Sequence, residues 1–85
     1  MPYKIVIKKS AAKQITAVPK SVKESIFEHI FELSEEPRPP GCKKLKGEEN
    51  AWRIRIGNWR VVYTIEDEIL TIEVIKVAHR KDVYK

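Results

Sequence analysis

Residues 51–77 read AWRIRIGNWRVVYTIEDEILTIEVIKV, and their reading decides the fold. From Trp52 the chain alternates, with Trp52, Ile54 and Ile56 on one side and Arg53 and Arg55 on the other. Period-two alternation marks a strand with one buried face. Gly57-Asn58 then offers a two-residue turn of type II′, in which glycine takes the positive φ of the first central position. The return strand spans Trp59 to Ile65. With that turn, Ile56 faces Trp59, Ile54 faces Val61, and Trp52 faces Tyr63, all on one face. The same register sets Arg55 opposite Arg60 and Arg53 opposite Val62. A like-charge cross-strand pair costs stability unless something compensates. Long arginines can splay into solvent with their stems on the sheet. Alternatively, the surface is built for an anion such as phosphate.

Beyond Ile65 the run Glu66-Asp67-Glu68 reads as an acidic turn, and Ile69 to Val77 as the last strand. A turn centred on Asp67-Glu68 puts Leu70, Ile72 and Val74 on the buried face and Thr71, Glu73 and Ile75 on the arginine face. A turn one residue different exchanges the two sets. Apolar residues on both faces near Ile75 and Val77 predict an interior strand, or one covered by a partner.

Upstream, Tyr3 to Lys8 is a first strand, with Tyr3, Ile5 and Ile7 on one face and Lys4, Val6 and Lys8 on the other. Lysines on one side suit a guarded edge strand. Ser10 can cap a short helix over residues 11–17. A second helix begins near Pro19, or at a Ser21/Glu24 capping box, and runs to about Leu33 or Ser34. Val22, Ile26, Ile30 and Leu33 form its apolar stripe, which must pack on the Trp52/Ile54/Ile56 face. His29 falls at a solvent or boundary position. EEPRPPG at 35–41 is a loop. CKKLKG at 42–47 is either a solvated approach to the hairpin or a phosphate-facing loop through Lys43, Lys44 and Lys46.

The chain has 85 residues, 42% hydrophobic and 34% charged, with a formal net charge of +5. That describes one small foldable domain over residues 1–85. No stretch approaches the roughly eighteen apolar residues of a membrane span, so no membrane partner is expected. Nothing resembles a signal peptide. The lone Cys42 excludes an internal disulfide and a thiolate metal cluster. A cytoplasmic protein is the expectation. The basic excess favours a polyanion or an acidic protein as partner.

No phosphate-cradling glycine loop, HExxH, nucleophile elbow or zinc spacing is present, so neither metal nor cofactor is expected. The candidate site is the arginine face with the tail: Arg53, Arg55, Arg60, His79, Arg80 and Tyr84, joined by the lysines of 43–46. Such a site suits phosphodiester chemistry without a metal. Cations hold the phosphate and stabilise developing charge. RNA brings its own nucleophile, the 2′-hydroxyl, so the protein need only position groups and move protons. An aromatic side chain can stack on a base.

KKLKG, then WRIRIGNWRVVYTI, then VIKVAHRKDVY form an ordered series of signals. In these stretches, and over nearly its whole length, the chain resembles the RelE/ParE superfamily, the small toxins of type II toxin–antitoxin systems. The resemblance implies an α+β fold: an N-terminal strand, a two-helix hairpin and a mostly antiparallel sheet in the order β-α-α-β-β-β. For RelE-type members it implies cleavage of mRNA in the ribosomal A site, with the 2′-hydroxyl attacking in line. Arg53 and Arg55 match the paired basic residues, and Arg60 the phosphate-binding arginine. Arg80 matches the arginine that stabilises the transition state or protonates the leaving oxygen. Tyr84 matches the tyrosine that stacks on or orients the substrate. The implied partners are a cognate antitoxin, the ribosome with bound mRNA and, through the antitoxin, operator DNA.

One departure bears on mechanism. RelE-type enzymes often carry lysine where this chain has Arg53 and Arg55. Arginine stays protonated and is a poor general base, so another group must take the 2′-hydroxyl proton. His79 has a suitable intrinsic pKa but can equally cap the strand or pack beneath the site, many relatives with this tail using the neighbouring arginine instead, and Tyr84 is a second candidate. Two other functions fit the basic face: a ParE-like inhibitor of DNA gyrase, and a non-enzymatic binding module.

Overall fold

A computed structural model describes residues 2–47 and 50–81. The elements are β1 (Lys4–Ile7), α1 (Lys9–Thr16), α2 (Lys20–Glu32), β2 (Lys43–Lys44), β3 (Ala51–Ile56), β4 (Trp59–Glu66) and β5 (Thr71–His79), with a 3-10 turn at Asp67–Ile69 between the last two. The sheet order is β1-β5-β4-β3-β2. All neighbours are antiparallel except β1 and β5, which run parallel. This is the expected α+β arrangement, with the lysine-bearing first strand at an edge.

The central hairpin has the register expected from its alternation: Ile56 opposite Trp59, Ile54 opposite Val61, Trp52 opposite Tyr63, and Arg55 opposite Arg60. Gly57 carries φ 59° while Asn58 does not have positive φ, as a type II′ turn requires. Both helices cover one face of the sheet. Ala11 and Ile15 of α1, with Ile26 and Ile30 of α2 and the adjoining Val18 and Leu33, join Ile54, Ile56, Val61, Tyr63, Ile72, Val74 and Val77 in one core. Each buried Ile, Leu or Val contributes about 1.5–3 kcal/mol, which is what holds so short a chain folded. Phe27 packs against this core and stacks on Phe31 at 6.2 Å, and Phe31 itself is exposed.

The helix starts differ from expectation. α1 begins at Lys9, before Ser10, and neither α1 nor α2 has a side-chain cap, so Ser10 and the Ser21/Glu24 box do not act as caps. Packing of the apolar stripes carries these helices instead. The acidic turn also differs. Asp67–Ile69 winds into a 3-10 turn, Leu70 takes a left-handed φ of 46°, and β5 starts only at Thr71. Leu70 is therefore a half-buried turn residue, and Ile69 is exposed.

The largest departure lies in β5. Val62 pairs with Lys76 and Tyr63 with Val74, so Ile75 is an extra residue in a β-bulge. Up to Val74 the expected phase holds: Ile72 and Val74 are buried in the core, and Thr71 and Glu73 oppose Glu66 and Thr64 on the arginine face. Past Ile75 the phase changes. Val77 enters the core, and Lys76, rather than an apolar residue, opposes Val62 on the arginine face. β1 has ended by this point. The Val77 N–H is met instead by Gln14 of α1, whose Oε1 accepts at 2.8 Å.

Candidate functional site

The face of the sheet away from the helices carries the cations. Directly paired residues share a face, so two rows follow from the register. The first, nearest the Gly57-Asn58 turn, is Arg55, Arg60 and Ala78. The second is Lys43, Arg53, Val62 and Lys76, running from β2 across to β5. A cleft of about 460 Å³ opens on the β2–β3 side, lined by Pro40, Gly41, Cys42, Lys43, Arg53, Ile54 and Arg55.

The three arginines of this face are held very differently. Arg55 is exposed. Arg60 is folded back on its own hairpin, its Nη1 donating to the carbonyl oxygens of Trp59 at 3.1 Å and Gly57 at 3.3 Å. Those carbonyls draw its charge toward the turn and offset the Arg55–Arg60 opposition. Arg53 is only 2% exposed, and its buried Nε and Nη1 have no hydrogen-bond partner among the described residues. Leaving buried donors unmatched costs free energy. Arg53 thus keeps donor capacity, next to the cleft, that no described residue uses.

Arg80 follows β5. Its backbone N–H donates to the Asn58 carbonyl at 2.7 Å, which ties the start of the tail to the hairpin turn. Arg80 therefore stands at the same end of the sheet as Arg55 and Arg60. Tyr84 lies outside the described residues.

His79 does not join the arginines. It pairs with Trp59, and the two rings meet edge to face at 5.4 Å and 82°, on the helix-covered side. Its Nδ1 lies 3.4 Å from the Lys81 backbone nitrogen, which donates to it. The basic loop divides in the same way. Lys43 opposes Arg53 on the cationic face, whereas Lys44 opposes Trp52 and so belongs to the other face. Lys46 is exposed in the turn after β2. Lys76 is half-buried on the cationic face and was not among the expected site residues. The signal that could have found it was the apolar pair Val74 and Val77, of opposite parity, which a regular strand cannot bury on one face.

A different cluster closes the opposite end of the sheet. Asp67 accepts from Tyr3 Oη at 2.6 Å and from Arg38 Nη2 at 2.9 Å. The Arg38 guanidinium also lies 5.2 Å from the Trp52 ring centre. These bonds hold the Asp67 carboxyl below its usual range and raise the Tyr3 phenol. Nearby, Tyr63 donates to the Pro37 carbonyl at 2.7 Å, and burial pushes its phenol pKa upward. Together these contacts fasten the proline-bearing loop at Pro37 and Arg38, while its far end, Pro40 and Gly41, lines the cleft beside Arg53 and Arg55.

A family model described as the ParE toxin of type II toxin–antitoxin system, parDE, matches residues 5–84. Toxin RelG of Mycobacterium tuberculosis is 32% identical over 86 residues, covering 100% of this chain and 99% of that protein. Toxin RelE of the same organism is 31% identical over 85 residues, covering 99% of this chain and 88% of that one. Among solved structures, the archaeal RelE–RelB complex from Pyrococcus horikoshii superposes with a TM-score of 0.85 at 27% identity, over 98% of this chain and 100% of the matched chain. The isolated E. coli RelE toxin gives 0.80 at 28%, over 96% and 90%. Sequence match and shared fold agree across almost every residue, and the chain belongs to the RelE/ParE superfamily of toxins from type II toxin–antitoxin systems.

Proposed function

We propose that this toxin is a ribosome-dependent endoribonuclease that cuts mRNA in the A site and so halts translation in the cytoplasm. The observation that carries this reading is the cationic end of the sheet, where Arg53, Arg55 and Arg60 share one face and Arg80 is tied to the same turn. The 2′-hydroxyl oxygen attacks the adjacent phosphorus and gives up its proton to solvent water, the bond to the 5′-oxygen breaks, and that oxygen takes up a proton as it leaves. The products are a 2′,3′-cyclic phosphate and a 5′-hydroxyl. Arg55, Arg60 and Arg80 stabilise charge on the phosphate oxygens, and Arg53 supplies its unused donors from below. Arg80 assists the leaving oxygen, and Tyr84 orients the base. His79, on the far face against Trp59, braces the hairpin. No metal takes part.

The partners on this reading are the ribosome with its mRNA and a cognate antitoxin, of the kind that RelE toxins bind in the solved complexes; in this reading the antitoxin covers the cationic face. The antitoxin would carry the pair to operator DNA. Primer extension on programmed ribosomes with an empty A site tests the reading. Discrete cuts that fade in Arg60→Ala and Arg80→Ala are expected. A folded wild-type protein that leaves the mRNA intact would overturn it.

The family model's ParE description favours a second reading, poisoning of DNA gyrase without RNA cleavage. Gyrase–DNA adducts trapped by the wild-type protein, with ribosomal mRNA uncut, would establish that alternative.

A further inference from the structure

We propose that Lys76 is an additional RNA-binding residue of this face, gripping a backbone phosphate that flanks the one being cut. The proposal rests on the RNA-cleaving reading and extends its contact surface from β3 and β4 onto β5.

The bulge is the first observation. Without Ile75 as an extra residue, position 76 would fall on the core side. With it, Lys76 opposes Val62 at the end of the row that begins with Lys43 and Arg53. Bulges recur beside active sites because they re-aim a side chain. The second observation is that the re-aiming is held from outside the sheet. Gln14 of α1 takes the Val77 N–H that β1 no longer reaches. The third is charge. Lys76 is half-buried, beyond the end of β1, and among the described residues it makes no ion pair or hydrogen bond. Beside it lie Val62 and Ala78, both nearly fully buried, with Arg60 of β4 opposite Ala78. Lys76 therefore adds a positive charge beside an arginine, and no carboxylate among the described residues pairs with that lysine. Lys43 and Lys76 stand at the two ends of one row, three strand spacings or roughly 14 Å apart, with Arg53 between them. A single strand of RNA crossing the sheet along that row meets a cation at each end.

Fluorescence anisotropy with a ten-nucleotide 2′-O-methyl RNA, titrated at several salt concentrations, tests this. Each phosphate contact adds about 0.7 to the slope of log affinity against log salt for single strands. Lys76→Thr is expected to lower that slope by about 0.7 and weaken binding several-fold, with an unchanged or higher Tm. Lys76→Arg is expected to restore both slope and affinity. A Lys76→Thr protein with a lower Tm and an unaltered slope would make Lys76 a structural residue and overturn the proposal. If Arg60→Ala lowers the slope and Lys76→Thr does not, the proposal fails and the RNA reading stands. If neither alters RNA binding, and mRNA stays uncut, both fail together.

Discussion

Arg38 and Arg53 lie on opposite sides of β3, one over Trp52 and the other on the cationic face, and they invert the usual relation between burial and pairing. The Arg38 side chain is 43% exposed, yet it has a carboxylate at 2.9 Å and an indole ring beneath it. Arg53 is 2% exposed, yet two of its nitrogens have no partner among the described residues. The end of the sheet built around Asp67 satisfies its own charges. The cationic face collects arginines and, among the described residues, leaves two nitrogens of Arg53 without a partner. Folding stability favours the first arrangement, because an unmatched buried donor is costly. On the proposed function, the second arrangement is completed by an anion arriving from outside.

The sharpest way to break this contrast is to remove one cation from each arrangement. Arg60→Ala is expected to cut A-site cleavage on the order of 10²-fold or more, measured by single-turnover primer extension. Arg38→Ala should leave cleavage within about twofold, since surface pairs of this kind contribute little. Equal losses from both would erase the distinction.

Arg53→Met sharpens it further, because it replaces the unmatched nitrogens with an apolar chain of similar length. Urea unfolding should show a gain of about 1 kcal/mol, while cleavage falls. A destabilised Arg53→Met protein would mean that the guanidinium is satisfied in the folded state. Gln14→Leu probes the opposite case, a buried donor that does have its partner. Loss of the acceptor for Val77 N–H should cost about 1–2 kcal/mol in the same measurement. Gly57→Ala comes next. Forcing a Cβ into φ 59° should cost about 1 kcal/mol, although no atom lies within 4 Å of the added carbon.

The smallest effect belongs to the paired end and is read through pH. Asp67 titrates below its ordinary 3.8 because Arg38 and Tyr3 bond to its charged form. Its contribution is therefore complete above that value and disappears as pH falls through the folded pKa. Tyr3 titrates above 10.0 because its proton is held by Asp67, so its contribution is complete below that value and disappears as pH rises through the folded pKa. Asp67→Asn should flatten both limbs of a Tm-against-pH curve slightly, with no change near neutrality in cleavage.

The hairpin was legible in the sequence because its face alternates without interruption. Trp52, Ile54 and Ile56 meet Tyr63, Val61 and Trp59 in the one register that buries all six together. The same pattern disclosed the Arg55–Arg60 opposition. β5 was legible only as far as Val74. The run Val74-Ile75-Lys76-Val77 contains apolar residues of both parities, so no phase can be read from it, and the bulge that resolves it depends on Gln14 more than sixty residues upstream. The burial of Arg53 was hidden for a related reason. A strand residue opposite a buried face reads as exposed, and only the assembled sheet shows otherwise. His79 was legible only as alternatives, a proton acceptor or a residue packed beneath the site, and its contact with Trp59 supports the second. One position separates it from Arg80 in the chain, yet the alternation of β5 sends it to Trp59 on the other side.

The parallel pairing of β1 with β5 has a consequence for how the protein is made. Lys4 meets Thr71 and Ile7 meets Val74, so the first strand translated has no partner until one of the last has emerged. Such distant pairing slows folding and makes it cooperative. The bulge that aims Lys76 and the bond that ties Arg80 to the hairpin belong to that same late segment. A chain still being made therefore holds β1 without its strand partner through most of its synthesis. The cationic surface is finished only when β5 has paired with both of its neighbours.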